Sequence, residues 1–138
     1  MATGTHTFGK DERICSKLQV DSLFGKGGSR SLSAFPLRVV YRLYPQPESA
    51  KTRVQVLVSV PKRHLKRAVA RNRVKRQVRE AYRLGKETLL AGLPDGQHLD
   101  VAFIWLSDEL ADTAVVKKRV ANLLARMAER LTHGKPQP

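Results

Sequence analysis

Cysteine is almost missing from this chain, with Cys15 alone among 138 residues. A single thiol forbids an internal disulfide and fits a reducing compartment, so a cytoplasmic protein is expected. Long apolar runs are missing too. No stretch approaches the roughly 18 apolar residues of a membrane span, and the opening MATGTHTFGK lacks the apolar centre of a secretory signal. Acids are scarce, 12 Asp and Glu against 26 Lys and Arg. They are scattered, and no spacing gathers two or three on one helix face in a metal-binding pattern. His6, His64, His98 and His133 all fall in expected loops, turns or tails and read as surface histidines. A hydrolase needs carboxylates gathered at a metal, or a nucleophile beside its base. Neither pattern is present, so no catalytic residue and no cofactor or metal bound by the protein alone is expected.

What the chain has is positive charge, a formal +14 with an isoelectric point near 10.6. Such a balance points to nucleic acid and, less strongly, to an anionic membrane surface. Ten Lys or Arg fall between Lys62 and Arg83, against the single acid Glu80. With 41% apolar residues and this length, one globular domain covering 1–138 is expected, with a core over about 10–131 and flexible ends at 1–9 and 132–138.

Hydrophobic periodicity predicts a short first helix over Ile14–Phe24, then a Gly/Ser loop from Gly25 through Gly27 and Gly28 to Ser33. Phe35–Tyr44 alternates as a strand, with Leu37, Val39 and Tyr41 on an apolar face and Arg38 and Arg42 on a mixed one. The polar stretch 45–52 reads as a hairpin loop to a second strand, Arg53–Val60, ended by Pro61. Lys66–Leu84 then reads as the main helix. Ala70, Val74, Val78, Ala81 and Tyr82 form its apolar stripe, Arg71 lies at the border, and Gly85 is its expected stop. Leu99–Leu106 is a nearly continuous apolar run, as a buried central strand requires. A last helix follows a turn capped by Asp112, with Val116, Val120, Leu123, Leu124, Met127 and Leu131 on one side. Its polar side carries Lys117, Lys118, Arg119, Arg126 and Arg130. The fold class is α+β, a single-domain α-β sandwich.

A charge run often does no more than solvate a face. Here Arg67, Arg71, Lys75 and Arg79 form an i, i+4 ladder of like charges with no compensating acids. Each such pair costs an isolated helix about 0.2–0.5 kcal/mol, so the ladder implies a polyanionic partner. Arg grips phosphate with a planar fork, and Asn72 can both donate and accept. Arg38 and Arg42 on the mixed face suggest a second RNA contact, in a groove with the first helix that could hold a single strand. On these residues a structural RNA-binding protein of the ribosomal kind and a self-sufficient nuclease both stay open, the latter disfavoured by its missing carboxylates.

The segment VLVSVPKRHLKRAVARNRVKRQVREAYR, residues 56–83, closely resembles the signature of bacterial ribonuclease P protein subunits. The family's "RNR" element falls on Arg71, Asn72 and Arg73, with Lys75, Arg76, Arg79 and Glu80 at the family's offsets. The likeness extends through Arg13-Ile14, Leu23-Phe24, Phe35-Pro36-Leu37, Arg53-Val54 and LDVAFI, over roughly residues 10–131. This resemblance implies an order α-β-β-β-α-β-α, shared with a ribosomal-protein domain, and a left-handed β-α-β crossover, against the usual right-handed rule. It implies a partner catalytic RNA that removes 5′ leaders from precursor tRNA, using Mg²⁺ held mainly by the RNA. Neither DNA nor membrane is expected as a partner. By position, the catalytic-RNA side falls on Lys62, Arg63, Arg67, Arg71, Asn72, Arg73, Lys75, Arg76 and Arg79. The leader side falls on Phe24, Phe35, Arg38 and Ser59. Where the family often has aromatic residues this chain has Val20 and Arg38, which implies leader binding by charge more than by stacking.

Overall fold

The structure is a computed structural model that describes residues 12–14, 17–24, 29–48 and 52–133. The expectations for Cys15, His6, the Gly25–Gly28 loop and the chain ends before 12 and after 133 lie outside those residues. The described elements are α1 (Lys17–Phe24), β1 (Ser29–Ala34), β2 (Leu37–Pro45), β3 (Val54–Ser59), α2 (Ala68–Gly92), β4 (Gln97–Trp105) and α3 (Thr113–His133). This is the α+β order that the sequence implied.

The four strands form one mixed sheet in the order β1-β2-β4-β3. β2 runs antiparallel to both β1 and β4, while β3 and β4 are parallel and joined through α2. The expected hairpin between β2 and β3 is therefore wrong, because β4 lies between them. β4 takes the centre because QHLDVAFIW is apolar on both faces over most of its length, and seven of its nine residues are buried. β1 occupies what periodicity reads as a loop with a pattern too weak to place a strand, whereas the family resemblance implies a strand here. Its residues, SRSLSA, carry only Leu32 as a buried apolar anchor, too little for a strand pattern. Phe35 and Pro36 make the β1–β2 turn, so β2 begins at Leu37 rather than at Phe35.

One sheet face, with Leu37, Val39, Tyr41, Val56, Val58, Val101, Phe103 and Trp105, packs under α2 and α3 as the main core. On the opposite face α1 brings Leu23 against Val40 and Ala102, with Ile14 completing a smaller cluster. The second face is thus partly roofed. Ile14 belongs to a segment that hydrogen-bonds along β3, its N–H donating to the Val56 carbonyl at 3.0 Å, so helix α1 starts later than the sequence suggested.

Gly85 does not stop α2, which continues to Gly92 and spans 25 residues, about 37 Å at 1.5 Å per residue. Gly85 and Gly92 instead let α3 come close. A Cβ at Gly85 would sit 2.9 Å from Leu124 Cδ1, and one at Gly92 would sit 2.7 Å from the Ala128 carbonyl oxygen. The turn into β4 uses Gly96 at φ 77°, a left-handed backbone open to glycine at little cost. His98, expected in a surface loop, lies within β4 and is buried. Its Nε2 is 3.0 Å from Asp100 Oδ1 and its Nδ1 is 3.1 Å from Gln46 Oε1. Burial of Asp100 is possible because the Tyr44 hydroxyl also donates to it, at 3.0 Å.

Candidate nucleic-acid interface

The basic region begins in a turn that the core holds at both sides. The Pro61 carbonyl accepts from the His64 and Leu65 N–H groups at 3.1 and 3.2 Å, and Leu65 is buried in the main core. Lys62 and Arg63 are thereby left exposed at the tip. His64 Nδ1 lies 2.7 Å from Asp108 Oδ1, which ties the turn to the loop after β4. Helix α2 then opens on Arg67 with no side-chain cap and no acid in its first turn. Its unpaired N–H groups and positive dipole end add to the surrounding cations, a combination suited to phosphate.

Arg71 is engaged within the protein. Its Nη1 donates to the carbonyls of Leu65 at 3.0 Å and Lys66 at 2.7 Å, bracing the turn from the helix. Asn72, Arg73 and Arg76 are exposed beside it, Lys75 and Arg79 are half-buried, and Val69 stands 79% exposed among them. Burial lowers the Arg79 pKa below its ordinary value, and the positive charge of Arg13 lowers it further. Arg13, outside the residues that the resemblance implies, therefore adds to the same positive surface. Glu80 is paired with Arg83, whose hydrogen bonds hold its carboxyl below the usual range. The one acid of the stretch is thus engaged at the edge of the arc, with Lys117 of α3 drawing it the same way.

Three of the four expected leader residues lie on the side of the sheet that α1 partly covers. Strand register aligns Ser33, Arg38, Ile104 and Ser59 in one row across all four strands. Arg38 is exposed and Ser59 half-buried, with Ile104 between them, so the row brings two of the four together. Lys62 follows three residues beyond Ser59, where the row meets the basic turn. Phe24 ends α1 over the same face and is half exposed. Val20, which stands where the family often has an aromatic residue, is half-buried against the small cluster with Leu57 and Ile104. Phe35 differs, since it sits in the β1–β2 turn, 66% exposed as a residue, with its carbonyl accepting from Arg119 Nε of α3 at 3.0 Å. No periodicity could have shown that anchor, because it joins residues 84 positions apart.

Among the described residues, no group of three or more His, Cys, Asp or Glu could hold a metal ion. The donor set of this surface, guanidinium and ammonium groups, does not fit a divalent cation. No described helix is long and apolar enough to cross a membrane.

The sequence matches the Ribonuclease P family over residues 8–128. It is 43% identical over 129 residues to a ribonuclease P protein component of Porphyromonas gingivalis, covering 91% of each chain. Among solved structures it is similar to the RNase P protein of Thermotoga maritima, with a TM-score of 0.62 and 25% identity over 83% of this chain and 96% of that one. The Staphylococcus aureus RNase P protein shares the fold, with a TM-score of 0.61 and 18% identity over 82% and 92% of the two chains. With the family match spanning most of the sequence and the fold agreeing, the chain belongs to the ribonuclease P protein components, the protein part of a ribonucleoprotein endoribonuclease.

Proposed function

We propose that this protein binds the ribonuclease P catalytic RNA through the basic turn and the exposed arc of α2, and the 5′ leader of precursor tRNA across the α1 side of the sheet. The RNA-facing residues are Lys62, Arg63, Arg67, Arg73, Lys75, Arg76 and Arg79 with Asn72, and Arg71 holds the turn that presents the first of them. The leader crosses the row from Ser59 to Arg38, with Phe24 against it. Hydrolysis belongs to the RNA and its Mg²⁺, and the protein contributes placement and charge neutralisation. The observation that carries this reading is the division of α2. Its apolar side is buried to the last turn, while its opposite arc keeps a dense row of cations whose only acid, Glu80, is held by Arg83.

Reconstitution tests it. The purified protein alone should leave precursor tRNA intact, and adding it to a cognate catalytic RNA should raise leader removal at low Mg²⁺. Equal cleavage with and without protein, at every Mg²⁺ and salt concentration, refutes the proposal. Metal-dependent cleavage by protein stripped of RNA would do so too.

A further inference from the structure

The α2 surface does not use all the exposed cations. Helix α3 carries Arg119, Arg126 and Arg130 at offsets of seven and four residues, which at about 100° per residue fall within a narrow stripe. This stripe faces β1. Arg119 Nε donates to the Phe35 carbonyl at 3.0 Å, and Arg126 Nη1 donates to the Ser33 carbonyl at 2.9 Å. Seven residues along α3 therefore retrace two residues of β1 and its turn, so the helix runs back along the strand. The next residue of the stripe, Arg130, is placed toward the start of β1. Arg30 lies there, and its register with Tyr41 puts it on the α3 side of the sheet, exposed. Arg30, Arg119, Arg126 and Arg130 thus line one edge of the domain, and Glu129 is the only acid of α3.

This edge meets the end of the cross-strand row. Ser33 is the last member of the row Ser59–Ile104–Arg38–Ser33, and its carbonyl is the one Arg126 holds. A strand of RNA that enters beside Lys62 and crosses four strands, three spacings of about 4.8 Å, leaves the sheet over Ser33. The exposed Phe35 ring stands beside that exit. Two guanidinium groups hold carbonyls there, but each has five N–H donors, so phosphate can be met without breaking the anchors.

We propose that this arginine edge is a distal track for single-stranded RNA, receiving phosphates of leader nucleotides upstream of those on the α1 side of the sheet. The proposal rests on the leader path given above. It also gives the edge strand β1 a second use, since an arginine-held edge carbonyl is closed to further strand pairing.

The test uses the reconstituted holoenzyme with two precursors, one with a leader of about 4 nucleotides and one of about 16, the range over which single-strand sites extend. The variants are the pair Arg30→Ala with Arg130→Ala, and the charge reversal Arg130→Glu, so that the Arg119 and Arg126 anchors stay intact. With the long leader, the paired variant should raise the precursor dissociation constant on the order of fivefold and lower the salt slope by about 1.4, two contacts at 0.7 each. With the short leader neither quantity should change. An equal loss on both precursors would assign the edge to the catalytic RNA or the tRNA body, and no loss on either would leave it a solvated face. Both outcomes overturn the proposal. Wild-type protein that fails to stimulate cleavage of even the short-leader precursor would instead refute the underlying function.

Discussion

Replacing Arg71 and Arg73 in turn separates two roles that adjacent members of one motif play. Arg71 donates from Nη1 to two carbonyls, those of Leu65 and Lys66, at 3.0 and 2.7 Å. Hydrogen bonds from a charged donor are worth about 1.5–3 kcal/mol each when shielded, and these are partly open to water, so about 2 kcal/mol for the pair is a fair figure. Removing the guanidinium also relieves repulsion toward Arg67 and Lys75 at i, i+4, a few tenths of a kcal/mol each. Arg71→Ala should therefore cost about 1.5 kcal/mol, which for a domain of this size lowers the melting temperature by roughly 6 °C. Exchange of the His64 and Leu65 amides, both bonded to the Pro61 carbonyl, should speed up as the turn loosens. Arg73 is exposed, and Arg73→Ala should change stability by no more than about 0.5 kcal/mol while lowering the salt slope of RNA binding by about 0.9. The deciding comparison is thermal melting and salt-dependent binding on the same preparations. If Arg71→Ala melts like wild type and loses salt slope as Arg73→Ala does, the brace does not form and Arg71 is one more phosphate contact.

The two glycines of α2 should respond differently to alanine. Gly92→Ala would press a methyl on the Ala128 backbone, which cannot yield, and should cost about 1–3 kcal/mol in urea unfolding; a neutral result would refute the close approach. Gly85→Ala meets only the end of the Leu124 side chain and gains helix propensity of about 1 kcal/mol, so its net effect should lie near zero. Glu12 and Lys86 pair at 2.8 Å with both side chains largely shielded. Glu12→Ala should cost about 3 kcal/mol in chemical denaturation, whereas joint replacement with apolar residues should recover most of it. Equal losses from the single and joint replacements would show that packing, not charge, is at stake.

The sequence makes the elements with strong periods legible, and the reason is burial on one side. β3 alternates because Val54, Val56 and Val58 face the main core, and α3 repeats because one stripe meets α2 and the sheet. β1 was invisible because Leu32 is its only buried apolar residue and its pairing is carried by backbone bonds that any sequence can make. The strand order was equally hidden. Nothing local in 45–52 distinguishes a hairpin from a connection that skips a place later filled by β4. At the interface, composition and wheel geometry separated the cationic arc from the docking stripe. They set Arg71 at the border of the arc without showing its brace to the preceding turn, which depends on where Leu65 and Lys66 point their carbonyls.

Gly85 reads locally as a helix stop, and the reason it is not one lies in packing. In local terms a glycine after a basic helix is a stop, but here it is a place where two helices touch. The seven residues beyond it include Lys86 and Leu89, which are buried, and Gly92, which meets Ala128. This half of α2 carries little of the positive charge and adds Lys86 and Leu89 to the anchoring that Val74, Val78, Ala81 and Tyr82 begin. The other half, from Ala68 to Arg79, carries a ladder of like charges that disfavours its own helix. A helix so burdened needs stabilisation from a part where charge is sparse. The extended C-terminal half supplies it through packing on α3 and the Lys86 pair with Glu12. Because helix formation is cooperative, order in that half propagates toward the basic turn. The length past Gly85 thus adds to the packing that lets the first half remain so positively charged.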